Sequence, residues 1–146
     1  MTDQPHIYFY GKGNPDYQFL SNFWWGFFYY NHKIYRSVEH FYQASKATNN
    51  KDHEIIRTAL TPATAKRLGR EIDIRDDWED IKVSIMLTGL RLKFEDKVLK
   101  RKLLDTKDAI LHENSPNDYF WGVKGKDMLG KLLMKVRDEI RQEEVQ

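Results

Sequence analysis

Three polar side chains carry the chemistry this sequence offers: Glu39, Gln43 and Lys46, within Ser37–Lys46, SVEHFYQASK. They stand at i, i+4 and i+7. At about 100° per residue a helix places all three on one face, with Glu39 and Lys46 two turns and about 10 Å apart. Ser37 is a good N-cap, and Val38, Phe41 and Tyr42 flank the polar seam and can anchor it in a core. Enclosure among aromatic rings disfavours the charged form of both ionisable groups. A lysine so placed is a nucleophile, and a glutamate so placed is an acid or base. The same row also fits a solvated helix face with a weak Glu-to-Lys pairing across the turns. Spacing leaves both readings open.

The surrounding elements must position these groups. Ile7–Tyr10 reads as a short strand that stops at GKGNPD. Gly11 and Gly13 are expected to make a plain turn, because no G-K-[ST] follows and no helix opens there. Fifteen of the twenty aromatic residues fall between Tyr8 and Tyr42, enough for a core and for the wall of a pocket that stacks a flat heterocycle. Within them, Phe27–Tyr30 and Lys33–Tyr35 form a hairpin turning at Asn31-His32. Ser21-Asn22 is a polar pair among Phe19, Leu20, Phe23 and Trp24, and a buried Asn needs backbone or ligand partners.

The Ser37 helix is expected to run to about residues 48–50, and a second helix from Asp52 to Leu60. Thr61, Pro62 and Gly69 punctuate a third helix that carries no evident chemistry. Ile72–Asp77 is a linker. Asp77 caps a helix to about Phe94, with Trp78, Ile81, Ile85 and Leu92 near one face and Gly89 inside, a hint of close packing. Lys97–Leu104 is amphipathic, with Val98, Leu99 and Leu103 inward and Lys100-Arg101-Lys102 on a solvated face. Ala109–Glu113 reads as a strand and residues 114–125 as a loop of the kind that builds sites. Asp127 caps a last helix whose stripe is Leu129, Leu132, Leu133, Val136 and Ile140. The fold class is α+β: one compact, mainly helical domain over 1–146 with a small antiparallel sheet from the N-terminal half. Residues 1–6 and 142–146 are expected to be loose tails.

Composition narrows the function classes. The 24 basic and 22 acidic residues leave a net charge of +2, which does not mark a dedicated nucleic-acid binder. The absence of cysteine removes disulfides, thiolate zinc sites and cysteine nucleophiles. His6, His32, His40, His53 and His112 show no metal-ligand spacing, so no metal and no cofactor is expected. His40 points away from Glu39 on a helix and reads as a core or supporting histidine. No run is long and apolar enough for a membrane span, and nothing at Met1–Pro5 has the form of a signal peptide. A cytoplasmic protein with no membrane partner is expected, of undetermined oligomeric state. Carboxylate-plus-lysine chemistry near aromatic walls remains.

FLSNF at 19–23, SVEHFYQASK at 37–46, Trp78 with Ile81-Lys82, LHENSPNDYFWG at 111–122 and DMLGKLLMKVR at 127–137 together resemble the YbiA-like N-glycosidases of the NADAR superfamily. The motifs run in family order over nearly the whole chain. The resemblance implies a mainly helical α+β domain that cleaves a ribosyl N-glycosidic bond. The implied substrate is a nucleotide-like small molecule, an early ribosylamino-pyrimidine 5'-phosphate of riboflavin synthesis, or else ADP-ribose attached to guanine in nucleic acid. Asp127 stands where family members often have Asn, which puts any phosphate contact there in doubt.

Joined to that resemblance, the residue reading becomes a mechanism. Lys46 attacks the anomeric carbon and forms an imine, and Glu39 moves the protons. Glu113 or Asp118 binds ribose hydroxyls or steadies positive charge. Trp121, with Trp24 or Tyr42, stacks on the base, and Arg36 or a nearby lysine holds the phosphate. Asn22, Ser37, Gln43 and Trp78 complete the expected substrate-binding set. The competing class is a module that binds ADP-ribose, NAD or a nucleotide without turnover. A purely structural domain would leave the Glu39–Lys46 face exposed.

Overall fold

A computed structural model describes residues 4–11 and 13–145. Expectations that fall on residues 1–3, Lys12 and Gln146 lie outside the described residues. The chain groups into two compact units, one of Asn22–Lys93 and one of the residues through Ser21 with those from Phe94 onward.

The Asn22–Lys93 unit holds the hairpin β2 (Phe28–Tyr30) and β3 (Lys33–Tyr35), then α1 (Val38–Ala44), α2 (Asn50–Arg57), α3 (Pro62–Gly69) and α4 (Trp78–Lys93). The hairpin is antiparallel with Phe28 opposite Tyr35, and it turns at Asn31 and His32, both left-handed at φ 53° and 65°. That geometry matches the primed two-residue turns whose twist suits a hairpin. The centre of the unit is α1, every residue of which is buried. The edges of Phe28, Tyr30 and Tyr35 meet Phe41 in T-shaped contacts at 5.1–5.5 Å. On the other side Gly89 of α4 lets the helices close. A Cβ there would stand 3.1 Å from the Phe41 ring and 3.3 Å from Val38. Ser37 caps α1, its hydroxyl accepting from the His40 amide, and Thr61 caps α3 in the same way.

Two boundaries in this unit differ from the sequence expectation. α1 stops at Ala44 and Ser45 is its C-cap, so Lys46 stands just past the helix. The chain is drawn off by a bridge between Ala47 and Ile74 and by the Arg75 amide donating to the Lys46 carbonyl. Gly69 lies inside α3 rather than beyond it. The buried face of α4 is Trp78, Met86, Gly89, Leu90 and Lys93, while Ile81, Ile85 and Leu92 are only partly covered.

The second unit pairs β1 (His6–Phe9) in parallel with β4 (Ile110–Glu113), His6 facing Ile110 and Phe9 facing Glu113. A 3-10 helix at Pro15–Leu20 follows the glycine turn, capped by Asn14. α5 (Lys97–Leu104) and α6 (Met128–Val145) complete the unit. Leu129, Leu132, Leu133, Val136 and Ile140 of α6 are all buried. Leu99 and Leu103 of α5 are buried, but Val98 is 65% exposed, because the narrow face of a two-turn helix covers only part of its apolar content. Asp127 does not cap α6 with its side chain. At φ 53° its carboxylate turns to His112 Nδ1 at 2.5 Å, and His112 Nε2 in turn meets His6 Nδ1 at 2.8 Å.

Candidate active site

α1 enters this unit as its central helix, and so its polar seam is enclosed. Glu39 is 6% and Gln43 5% exposed, which removes the solvated-face reading for both. Gln43 Nε2 donates to Glu39 Oε1 at 3.3 Å, and the Glu39 amide donates to the Asn22 carbonyl at 3.1 Å. The Asn22 side chain donates to Met86 Sδ at 3.4 Å, and its Oδ1 is buried without a hydrogen-bond partner. A buried amide oxygen of this kind can accept a hydrogen bond from a water or from a bound ligand. The amide oxygen of Gln43 is likewise without a donor and lies on Gly69, where a Cβ would stand 2.0 Å away. Gly69 is therefore the residue that lets α3 approach the seam.

Lys46 follows directly. Its Nζ lies 5.4 Å from the centre of the Tyr42 ring and 5.9 Å from that of Trp78. The two rings meet edge-on at 5.0 Å and both are buried. Burial, first, pushes the Lys46 amine below the ordinary lysine value; Glu39 acts against this, and Arg70, Lys66 and Lys82 reinforce it. An amine of this kind gives up its proton at a lower pH than a surface lysine does, which favours its use as a nucleophile. The sequence reading gave α3 no chemistry and named Lys82 only as part of a motif with Trp78 and Ile81. The available signal was the spacing of Lys66 and Arg70 around Gly69.

The remaining expected site residues divide. Ser37 is fully buried and serves the helix: its hydroxyl accepts from the His40 amide at 3.1 Å and meets His40 Nδ1 at 2.7 Å. Arg36 donates from Nη1 to the Ala59 carbonyl at 3.1 Å, which ties it to the loop after α2. His40 Nε2 meets the same carbonyl at 2.9 Å, in keeping with a core histidine. Glu113, Asp118 and Trp121 belong to the other unit. Asp118 Oδ1 accepts the amides of Phe120 and Trp121 at 3.0 and 2.9 Å, so one of its oxygens organises its own loop. The Glu113 carboxylate and the Ser115 hydroxyl lie against Gly122, where a Cβ would meet them at 2.9 and 2.6 Å. Trp121 packs edge-on with Phe120 at 4.8 Å. Two of the three residues of the basic run of α5 are taken up locally: Arg101 pairs with Glu144 at 3.5 Å and Lys102 lies 5.6 Å from the Phe19 ring. Among the described residues no group of three or more His, Asp or Glu is placed to hold a metal ion, and no helix is long and apolar enough to cross a membrane.

Comparison with known proteins adds the following. A family model described as the NADAR domain matches residues 8–141. An N-glycosidase of Nostoc punctiforme is 41% identical over 145 residues, 92% of this chain and 92% of that protein. The N-glycosidase YbiA of Escherichia coli is 39% identical over 115 residues, 74% of this chain and 72% of that protein. A riboflavin biosynthesis protein of Vibrio vulnificus is 37% identical over 97% of this chain, which spans 40% of that protein. The NMR structure of E. coli YbiA has the same fold, with a TM-score of 0.87 at 35% identity, covering all of this chain and 90% of that one.

Proposed function

The chain belongs to the NADAR domain family, and from that premise we propose that it is an N-glycosidase that opens a ribosyl N-glycosidic bond through an imine on Lys46, with Glu39 as acid and base. It is an enzyme, a hydrolase acting on N-glycosyl bonds, as the names of its relatives are. One observation carries the reading: the half-buried Lys46 amine beside the Tyr42 and Trp78 rings, with the buried Glu39 carboxyl on the helix that leads to it.

Neutral Lys46 adds to the anomeric carbon. The carbon–nitrogen bond to the base breaks, its electron pair leaves with the base, and Glu39 supplies the proton. The bound amine passes a proton to the ring oxygen as the ring opens, which leaves a protonated imine and a Glu39 carboxylate. Water then gives a proton to Glu39 and adds to the imine carbon. The amine leaves, and the sugar aldehyde and the neutral acid are restored. The Asn22 Oδ1 acceptor suits a ribose hydroxyl, and the Tyr42 and Trp78 rings form an apolar wall beside the reacting carbon. Only residues of the Asn22–Lys93 unit are used. The name of the Vibrio relative favours a small ribosylamino-pyrimidine phosphate of riboflavin synthesis over ADP-ribosylated guanine as substrate.

The test is turnover of such a ribosylamino-pyrimidine 5'-phosphate by Lys46→Ala against wild type, with binding followed in parallel. The variant is expected to lose more than about 10³-fold in rate while still binding the ligand. Normal turnover by Lys46→Ala would remove the imine mechanism. Binding by wild type with no product would make the chain a recognition module.

A further inference from the structure

The proposed chemistry gives Gln43, in the middle of the α1 seam, no task. Its side chain is buried at 5% exposure, yet its two amide atoms are treated differently. Nε2 donates to Glu39 Oε1 at 3.3 Å, whereas Oε1 is buried without a hydrogen-bond partner among the described residues. An unpartnered buried carbonyl costs free energy, so this orientation needs a reason. Turning the amide over would set its oxygen against a carboxylate oxygen, two acceptors with no hydrogen between them. The amide therefore leaves its own oxygen unmatched and gives its hydrogen to Glu39, in a bond that the charge of a carboxylate strengthens.

α3 fixes the amide in that place. Gly69 lies directly on it: a Cβ there would run into Oε1 and stand 2.9 Å from Cδ and 3.4 Å from Cβ of Gln43. Gly69 is the last residue of α3 and lacks the positive φ that favours glycine at a helix end. Its own backbone has no need of glycine, and glycine weakens a helix. What the missing side chain provides is the close approach to Gln43.

We infer that Gln43 is a positioning residue for the acid and base: pressed on by Gly69, its amide holds Glu39 Oε1, keeps the transferable proton on Oε2 and supports the carboxylate that forms when the base leaves. The part played by the proton rests on the proposed mechanism; the coupling of Gln43 to Glu39 does not. In the neutral acid, the oxygen that receives the Nε2 hydrogen is the carbonyl oxygen, so Oε2 carries the proton and gives it up. Burial disfavours the carboxylate left behind, and a fixed N–H donor offsets this. The bond strengthens as the proton leaves, and so it acts on the chemical step more than on substrate binding. The charges that neighbouring elements bring to α1 do not depend on Gln43. Glu54 of α2 holds Arg57, His53 and Lys33 of the hairpin. Lys66 and Arg70 of α3 and Lys82 of α4 act on Lys46, and Lys93 of α4 is buried. His40 is bound to Ser37 and Ala59.

Carbon-13 NMR titration of the Glu39 carboxyl tests this without any substrate. Gln43→Leu keeps an apolar body of similar size and removes the donor, and Gly69→Ala drives the amide off its seat. Gly89→Ala is the control: it crowds the same helix elsewhere, with a Cβ 3.1 Å from Phe41 and 3.3 Å from Val38. The Glu39 midpoint is expected to rise by about one pH unit in Gln43→Leu and in Gly69→Ala, and to stay in place in Gly89→Ala. The sign separates this role from that of a mere plug. Loss of the donor raises the midpoint, whereas water admitted to the seam solvates the carboxylate and lowers it. A fall or an unmoved midpoint in Gln43→Leu overturns the inference, as does an equal rise in Gly89→Ala. A rise in Gln43→Leu alone strikes out the part given to Gly69. Turnover of the ribosylamino-pyrimidine 5'-phosphate adds a second readout. Gln43→Leu is expected to lose about tenfold in kcat, with KM within about threefold of wild type. A raised KM at unchanged kcat would make Gln43 a binding residue instead. Midpoint shifts as expected in a wild type that turns nothing over would retain the Gln43–Glu39 coupling and remove Glu39 as the catalytic acid.

Discussion

His40 shows how one side chain of the SVEHFYQASK stretch is fixed by its neighbours. The Ala59 carbonyl can only accept, so His40 Nε2 carries the hydrogen, and Nδ1 is left to accept from the Ser37 hydroxyl. Burial pushes the imidazole below its ordinary value of 6.5, its bond to Ala59 works against this, and the Arg36 guanidinium adds to it. Below about pH 6.5 the unfolded chain therefore takes up a proton that the folded chain refuses, and stability falls as the pH falls. The slope is at most about 1.4 kcal/mol per pH unit. Urea denaturation between pH 5 and 7.5 should show wild type losing stability towards acid more steeply than His40→Gln. Parallel profiles would place the titration elsewhere. The identity of Glu39, Gln43 and Lys46 as a seam was legible from spacing, but their enclosure was not. Whether a face is solvated depends on what packs on it, and here that is α3 through Gly69, thirty residues downstream of Glu39.

The helices α1 and α4 meet where Gly89 faces Val38 and Phe41, both fully or almost fully buried. Replacing Gly89 by Ala gains about 1 kcal/mol of helix propensity. It also drives a methyl group to 3.1 Å from a ring that is wedged by Phe28, Tyr30 and Tyr35 and has little room to move. Overpacking of this kind costs about 1–3 kcal/mol. Gly89→Ala should therefore lower the urea midpoint, and a rise would show that the contact is slack. Elements whose ends are written locally were legible. Asp96 caps α5 over the range its pattern gave, and Thr61-Pro62 opens α3. Elements ended by distant partners were not. Lys46 leaves α1 because Ala47 bridges to Ile74, and β1 finds its parallel partner a hundred residues later in β4. Val98 was misjudged because periodicity in eight residues cannot tell a buried position from the rim of the face.

For the whole chain, the response to alkali is set chiefly by two further buried groups, and the depressed Lys46 amine acts in the same sense as the first. Lys93 is 2% exposed, and burial pushes its amine down from 10.5 to about 7. Between these values the unfolded chain holds a proton that the folded chain has released, so stability rises with pH across that window. Tyr35 works in the opposite sense. Burial first, with Arg57 acting against it, raises its hydroxyl from 10.0 to about 12. Above pH 10 the unfolded chain loses a proton that the folded one keeps, and stability falls. Together with the acid loss at His40, the protein should be most stable near pH 10, well above neutrality. Denaturation midpoints from pH 6 to 11 should trace that maximum. Lys93→Met should flatten most of the rise between pH 7 and 10, leaving the part that the depressed Lys46 amine contributes, and keep the fall above pH 10, whereas Tyr35→Phe should remove the fall and keep the rise. A wild-type profile flat from pH 7 to 10 would mean that Lys93 stays charged inside the fold.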